Sequence, residues 1–191
     1  ERELSRAYKV SRRGPQPHGQ GLNDPYIRFF RMAERQIAER SGRGVISFIS
    51  NYSWLEGLSH PAMRERFLEA FHTVRIDNLH GDKFATGKTT PSGEPDPSAF
   101  STAWNKEGIQ PGTAIATLVR RDAPVTVEAV VETRSFWGAD KLTRLAACAD
   151  EAGDPYAPAR MWVDFGRPFA NVTAREDYAS WPLLTELTPS S

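Results

Sequence analysis

Apolar residues fall into two patterns along this chain, and the clearest occurrence of both lies between Gly42 and Gly81. Val45 to Ile49 is an unbroken apolar run apart from Ser47, the texture of a strand buried on both faces. A polar and aromatic loop, Asn51 to Leu55, follows it. Pro61 then opens a segment in which Met63, Phe67, Ala70 and Phe71 share one helical face. Thr73 to Leu79 returns to a strand pattern, with Val74 and Ile76 on one side. Strand, helix, strand is the repeating unit of an open α/β sheet, and such sheets place ligands beyond the C-terminal ends of their strands. Ser50-Asn51 and Asn78 to Gly81 occupy those ends.

Upstream, Asn23 or Asp24 is placed to cap a helix that Pro25 begins. Tyr26, Phe29, Phe30, Ala33 and Ile37 recur in it at helical spacing, and Gly42 and Gly44 close it. Downstream, residues 82–112 hold four prolines and few clustered apolar residues. A loop this long inside a compact domain is functional or disordered. Thr113 to Val119 and Val125 to Val131 read as strands, and the short link between them predicts an antiparallel hairpin. A helix is expected from Ala139 to Ala149 with Leu142, Leu145 and Ala146 inward. Beyond it the texture is loop-rich, with a strand at Met161 to Phe165 and a turn or short helix from Glu176 to Trp181.

Composition narrows the class without naming a partner. Of 191 residues, 24 are Lys or Arg and 24 are Asp or Glu, so net charge gives no bias toward nucleic acid or membrane. From Leu4 to Asn23 there is no acid, while Arg6, Lys9, Arg12, Arg13 and His18 are present. A basic arm of this kind either neutralises phosphates or is a solvated tail. The lone Cys148 forms no internal disulfide, which favours a reducing, cytoplasmic setting. No run approaches the ~20 apolar residues of a membrane span. The chain begins without Met, as a piece of a longer protein would.

Several motifs fail on their chemistry. Gly81 to Thr89 resembles a phosphate loop, but five residues separate Gly81 from Gly87 where four are required. No helix pattern follows Thr89 to aim N–H groups at a phosphate. Asn23-Asp24-Pro25-Tyr26 stands one residue from Asn-Pro-Pro-Tyr, the motif with which amino-group methyltransferases grip an exocyclic amine. The intervening Asp and the lack of an apolar strand before Asn23 favour helix capping instead. His60, His72 and His80 have no Cys or acidic partner at metal-ligand spacing, and no Gly-x-Ser-x-Gly elbow occurs. The residues by themselves assemble no catalytic centre.

A resemblance enters through the order of several short stretches. Asp24-Pro25-Tyr26-Ile27-Arg28-Phe29-Phe30-Arg31, Gly44 to Asn51, Met63-Arg64, Asn78-Leu79-His80-Gly81, Pro97-Ser98-Ala99-Phe100 and Gly112-Thr113-Ala114-Ile115 resemble the adenine-specific DNA methyltransferase region of large restriction–modification proteins. Phe136-Trp137-Gly138 with Lys141-Leu142 resembles the stretch after the methyltransferase sheet, and Tyr178 to Leu187 the approach to the target-recognition part.

The resemblance implies an α/β fold, a partial Rossmann-like methyltransferase sheet of parallel strands plus the hairpin, with flanking helices. Residues 1–22 would be an arm or linker, 23–150 the C-terminal half of the catalytic domain, and 151–191 a linker toward DNA recognition. The cofactor would be S-adenosylmethionine and the partners duplex DNA and the remainder of the same polypeptide. By position, Tyr26, Phe29, Ser50 and Asn51 would line the cofactor pocket, with Phe29 ahead of Tyr26. Phe100, with Trp104 as rival, would stack on a flipped adenine. In that family the donor-binding glycine loop and Asn-Pro-Pro-Tyr lie ahead of this region, so the segment alone is expected to be inactive, since catalysis depends on positioning both reactants. The competing expectation is a non-catalytic α/β binding or scaffold domain derived from such an enzyme.

Overall fold

A computed structural model describes residues 4–14, 16–17, 21–148, 155–159 and 161. Its centre is a five-stranded mixed sheet in the order β1 (Gly44–Asn51), β3 (Thr113–Arg120), β2 (Thr73–His80), β4 (Val130–Ser135) and β5 (Ala157–Ala159). Helices α1 (Pro25–Glu34), α2 (Pro61–Ala70) and α3 (Lys141–Ala147) accompany it. The chain is thus α/β, and the expected strand–helix–strand unit is β1, α2, β2. Its two strands run the same way but are not neighbours. β3 lies between them, antiparallel to both.

That insertion overturns the expected hairpin. With β1 and β2 bonded to its two edges, β3 has no edge left for the strand that follows it. Residues 121–129 instead carry the chain past the start of β2, where Ala129 N–H donates to Leu68 O (2.9 Å) and Val130 N–H to His72 O (2.9 Å). The next strand begins only at Val130, and it pairs parallel with β2. Val127, counted above as part of a strand, is 77 % exposed.

One face of the sheet carries the core. Ile46, Val74, Ile76, Ala114, Ala116 and Leu118 alternate onto it and meet Ile27 and Phe30 of α1 and Met63 and Phe67 of α2. Four aromatic rings close the centre: Phe30 lies 5.5 Å from both Trp54 and Phe67, Trp54 and Phe67 are 5.6 Å apart, and Phe71 is 6.1 Å from Phe67. Burying such rings contributes about 2 kcal/mol or more apiece. The opposite face is open over β1 and at the start of β4, while Tyr156 lies against Arg75, Arg134 and the buried Asp77. Val45 and Ile49 of β1 and Val130 of β4 are exposed on that face, so β1 is an edge strand covered on one side and not a strand buried on both.

Helix α1 starts at Pro25 as expected, but Asp24 caps it only through its main chain, accepting from Ile27 N–H at 3.1 Å. Its buried face is Ile27, Phe30, Arg31 and Glu34, and Phe29 points to solvent. The face is rotated from the aromatic stripe because two charges go inward as a pair. Glu34 is fully buried and accepts from the Tyr8 hydroxyl (2.6 Å) and Arg66 Nη2 (2.6 Å), with Arg31 Nη1 at 3.0 Å. α1 continues as wider π-type turns over Arg35–Ser41 and stops at Gly42. α3 differs similarly. Leu142 and Ala146 are exposed and Lys141 is the buried residue. The strand and turn expected at Met161 to Phe165 and Glu176 to Trp181 lie outside the described residues, apart from Met161, which is buried.

The basic arm is part of the fold. Tyr8 is fully buried, its ring 6.2 Å from Phe67. Ser11 Oγ donates to Glu65 at 2.9 Å, while Arg12 pairs with Glu65 and Glu69 and Arg13 with Glu128. These two arginines answer acids of this same chain. If the arm belongs to the core, Tyr8→Phe removes a hydrogen bond to a buried charge and lowers stability by about 2 kcal/mol in urea unfolding. An unchanged midpoint would mean the arm is loosely laid on.

Candidate functional site at the C-terminal edge of the sheet

β1 and β2 end, and β3 begins, at one edge of the sheet, and the loop from Gly81 to Gly112 joins the last two there. At the end of β1, Asn51 Oδ1 accepts Ser53 N–H at 2.7 Å, and Ser50 Oγ donates to Asn51 O at 3.0 Å. Both side chains bend the chain into the next turn. Tyr52 N–H donates to Gly112 O (3.0 Å), and its ring lies so near that a Cβ on Gly112 would stand 2.3 Å from Cε1. Beneath this turn the buried Arg64 guanidinium donates to Trp54 O (2.8 Å) and Gly57 O (3.0 Å).

The end of β2 is irregular in a specific way. A bulge at Leu79 lets both Leu79 and His80 oppose Thr113, and His80 takes a left-handed backbone (φ 49°). Bulges re-aim side chains where they occur. The His80 ring stacks flat on Trp137, 3.4 Å between centroids and 11° between planes. Gly81 continues the turn at φ 74°, where a Cβ would meet Pro97 O at 2.9 Å. His80 Nε2, Asn78 Nδ2 and Thr113 Oγ1 are buried without a hydrogen-bond partner among the described residues. Buried polar atoms are ordinarily paired, so three orphans at one strand end mark an unusual spot.

Residues 82–112 contain no helix or strand, yet two carboxylates and a hydroxyl pin them. Asp82 Oδ1 accepts from Phe84 N–H and Ala85 N–H, both at 2.6 Å, and Oδ2 accepts from Gly112 N–H at 2.8 Å. Burial opposes ionisation of Asp82, but the N–H groups of Ala85, Gly112 and Phe84 outweigh it and hold the carboxyl below its usual range. Fully buried Asp96 accepts from Gly81 N–H (2.8 Å) and Gly138 N–H (2.8 Å) and pairs with Lys141 Nζ at 2.6 Å. That ammonium also donates to Leu79 O (2.6 Å) and Pro97 O (2.8 Å). Burial pushes its pKa down against the opposing pull of Asp96. Ser98 Oγ accepts from Phe100 N–H (3.2 Å) and Ile109 N–H (3.1 Å), drawing the loop's later half together.

The residues expected to bind ligand separate into three places. Ser50 and Asn51 lie at the sheet edge, as their position implied. Tyr26 joins them indirectly: its ring meets Phe30 edge-on at 6.5 Å, and Phe30 packs on Phe48 of β1 at 5.1 Å. The Tyr26 hydroxyl is buried without a partner among the described residues, and burial, aided by Asp24, raises its pKa. Phe29, 56 % exposed, is outside this cluster. Phe100 (41 % exposed) and Trp104 (99 % exposed) stand on the pinned loop, and among the described residues no ring contact joins them to Tyr26 or Phe29.

The sequence alone assigns no role to Asp82, Asp96 or Lys141, although Lys141 stands in one of the resembling stretches. The one available hint was Asp82 directly after His80-Gly81, a short acceptor placed where a chain must turn. No three of His, Cys, Asp and Glu among the described residues are arranged to hold a metal ion. No helix among them is long and apolar enough to cross a membrane.

The fold has solved counterparts. It matches the ATP-dependent Type ISP restriction-modification enzyme LlaBIII bound to DNA, with TM-score 0.59 and 21 % identity over 83 % of this chain and 10 % of that one. A DrdV–DNA complex matches with TM-score 0.59 and 19 % identity, over 83 % of this chain and 14 % of that one. A nuclease-deletion mutant of the Type ISP enzyme LlaGI, in complex with a DNA substrate mimic, matches with TM-score 0.60 and 19 % identity, over 83 % and 12 %. The shared property is the fold, and this chain spans between a tenth and a seventh of each counterpart's length. No family model and no curated protein matches the sequence.

The buried histidines give this edge a pH dependence. His80 is pushed down to about 4, chiefly by burial, with Asp96 opposing and Lys141 assisting. His60, beneath the β1 turn, is also pushed down to about 4, by burial and then by Arg64. An unfolded imidazole titrates near ~6.5, so between about 6.5 and 4 the unfolded chain binds more protons than the folded one. Stability from the two neutral rings is complete above about pH 6.5 and is lost as pH falls toward 4. Urea unfolding at pH 7.5 and pH 5 is expected to show lower stability at pH 5, with the difference reduced in His80→Gln. Equal stability at both values would contradict the assignment.

Proposed function

We propose that this chain is part of an S-adenosylmethionine-dependent N6-adenine DNA methyltransferase of restriction–modification type, acting on duplex DNA after base flipping. What supports the reading is the fold shared over 83 % of the chain with Type ISP restriction-modification enzymes solved with DNA or a DNA substrate mimic. The ordered stretches from Asp24 to Ile115 noted in the sequence point the same way. The sheet edge where ligands bind in such folds is also where the pinned loop and the orphaned polar groups lie.

Tyr26, Phe29, Ser50 and Asn51 are the residues that would line one wall of the cofactor pocket. S-adenosylmethionine, when bound, supplies the methyl group. Phe29 offers an exposed apolar face, and on the same helix Tyr26 has a buried hydroxyl without a hydrogen-bond partner among the described residues. Ser50 and Asn51 shape the turn at the end of β1, so their contribution is to place main chain at the edge. The flipped adenine would stack on Phe100 or Trp104, offsetting an unstacking cost of a few kcal/mol. Rigidity is what the loop adds, because a stacking platform that must be ordered on binding loses part of its gain.

The test is methyl transfer from labelled S-adenosylmethionine to duplex DNA by the polypeptide that carries this chain, followed by nucleoside analysis. N6-methyladenine is the expected product, with transfer about tenfold or more slower in Phe100→Ala or in Trp104→Ala, whichever ring is the platform. A methylated cytosine, or no transfer, would contradict the reading.

A further inference from the structure

The two edges of the sheet are built in opposite ways. On one side β5 is three residues long and carries Pro158 at its centre, so it offers little backbone to another strand. On the other side β1 runs for eight residues in unbroken register with β3, from Gly44 against Arg120 to Asn51 against Thr113. No bulge twists it away, and Gly-Val-Ile-Ser-Phe-Ile-Ser-Asn contains neither a charge nor a proline. Among the described residues no strand pairs with its outer edge. In an antiparallel pair each residue turns both its N–H and its C=O either to the partner or away, so about half of the backbone groups of β1 face outward. Folded proteins blunt or cover such an edge, because it pairs with any extended chain that reaches it. β5 is blunted and β1 is not.

A row of backbone donors and acceptors selects an extended segment as its partner. The side chains define that segment further. On the open face Val45 and Ile49 are 60 % and 48 % exposed, and their partners on β3, Val119 and Ile115, are half-buried. On the core face Ile46 is buried and Phe48 half-buried. An uncharged strand with apolar residues at alternate positions fits both rows. We propose that the polypeptide outside this chain contributes such a strand, which pairs with the outer edge of β1 and extends the sheet. The inference rests on the reading that this chain is one part of a longer restriction–modification protein. The chain spans only 10–14 % of its counterparts' length, which leaves ample polypeptide to supply the strand. Covalent connection raises its effective concentration to about the millimolar range, favouring it over a second copy of the chain. Paired strands lie about 5 Å apart, so one end of the added strand stands beside Asn51. The site at this edge of the sheet is then completed by residues from outside the chain.

The experiment is hydrogen–deuterium exchange of β1, read by mass spectrometry in the polypeptide that carries this chain and in the 191-residue chain alone. In the polypeptide nearly all amides of β1 should exchange slowly, whereas in the chain alone about half, the outward ones, should exchange fast. A lysine on an edge strand is a common guard against pairing. Val45→Lys should therefore keep the unfolding midpoint of the chain alone and return the outward amides of the polypeptide to fast exchange. If about half of the β1 amides exchange fast in the polypeptide as well, no strand covers the edge and the inference fails. If their protection is lost on dilution, the strand comes from a second copy and the choice of occupant is wrong. Formation of N6-methyladenine by a polypeptide whose β1 edge is open would leave the proposed function standing without the added strand. A protected β1 in a polypeptide that transfers no methyl group would do the reverse.

Discussion

The ammonium of Lys141, enclosed by Asp96 and the carbonyls of Leu79 and Pro97, joins three parts of the chain that secondary structure leaves unconnected. The bulged end of β2, the long loop and the start of α3 all meet at this one charge. Asp96 extends the junction through Gly81 and Gly138 N–H groups. Removing one partner of such a buried pair strands the other and typically costs about 3–5 kcal/mol. The pair determines shape more than it adds net stability, because taking both ions out of water opposes the attraction between them.

From that junction the remainder of the edge follows. Asp82 repeats the device at the start of the loop, trading a carboxylate's hydration for three N–H donors, and its third donor is the residue that begins the return into β3. A loop with no regular structure thereby acquires a fixed form and can hold Phe84, Phe100 and Trp104 outward. Elsewhere Glu34 plays the same part for the arm, gathering Tyr8, Arg31 and Arg66 against α1. The chain repeatedly uses a buried acid to organise segments that its apolar pattern leaves unspecified.

This division explains what the sequence revealed. β1, α2 and β2 were legible because period-2 and period-3.6 patterns report directly on which side chains leave water. The burial of β1 was overread because an apolar run looks the same in a central strand and in an edge strand with one open face. Strand order was beyond reach, since nothing local to Thr113–Arg120 says that its two edges are claimed by strands earlier in the chain. Asp82, Asp96 and Lys141 were missed because a charged residue in a proline-rich loop or at a helix start reads as solvated until its partner, far along the chain, is known. Ser50 and Asn51 stand at the end of β1, and Phe29 lies apart from the Tyr26 cluster because Arg31 and Glu34 turn α1.

The most direct test of this account is amide hydrogen exchange at Gly81, Gly112 and Gly138, whose N–H groups donate to the two buried carboxylates. If the acids hold the loop, these amides are protected to a degree approaching those of β2 and β3, and in Lys141→Ala the protection of Gly81 and Gly138 falls first. Exchange of all three at rates typical of an unstructured peptide would show that the loop is not pinned, and the account built on it would fail.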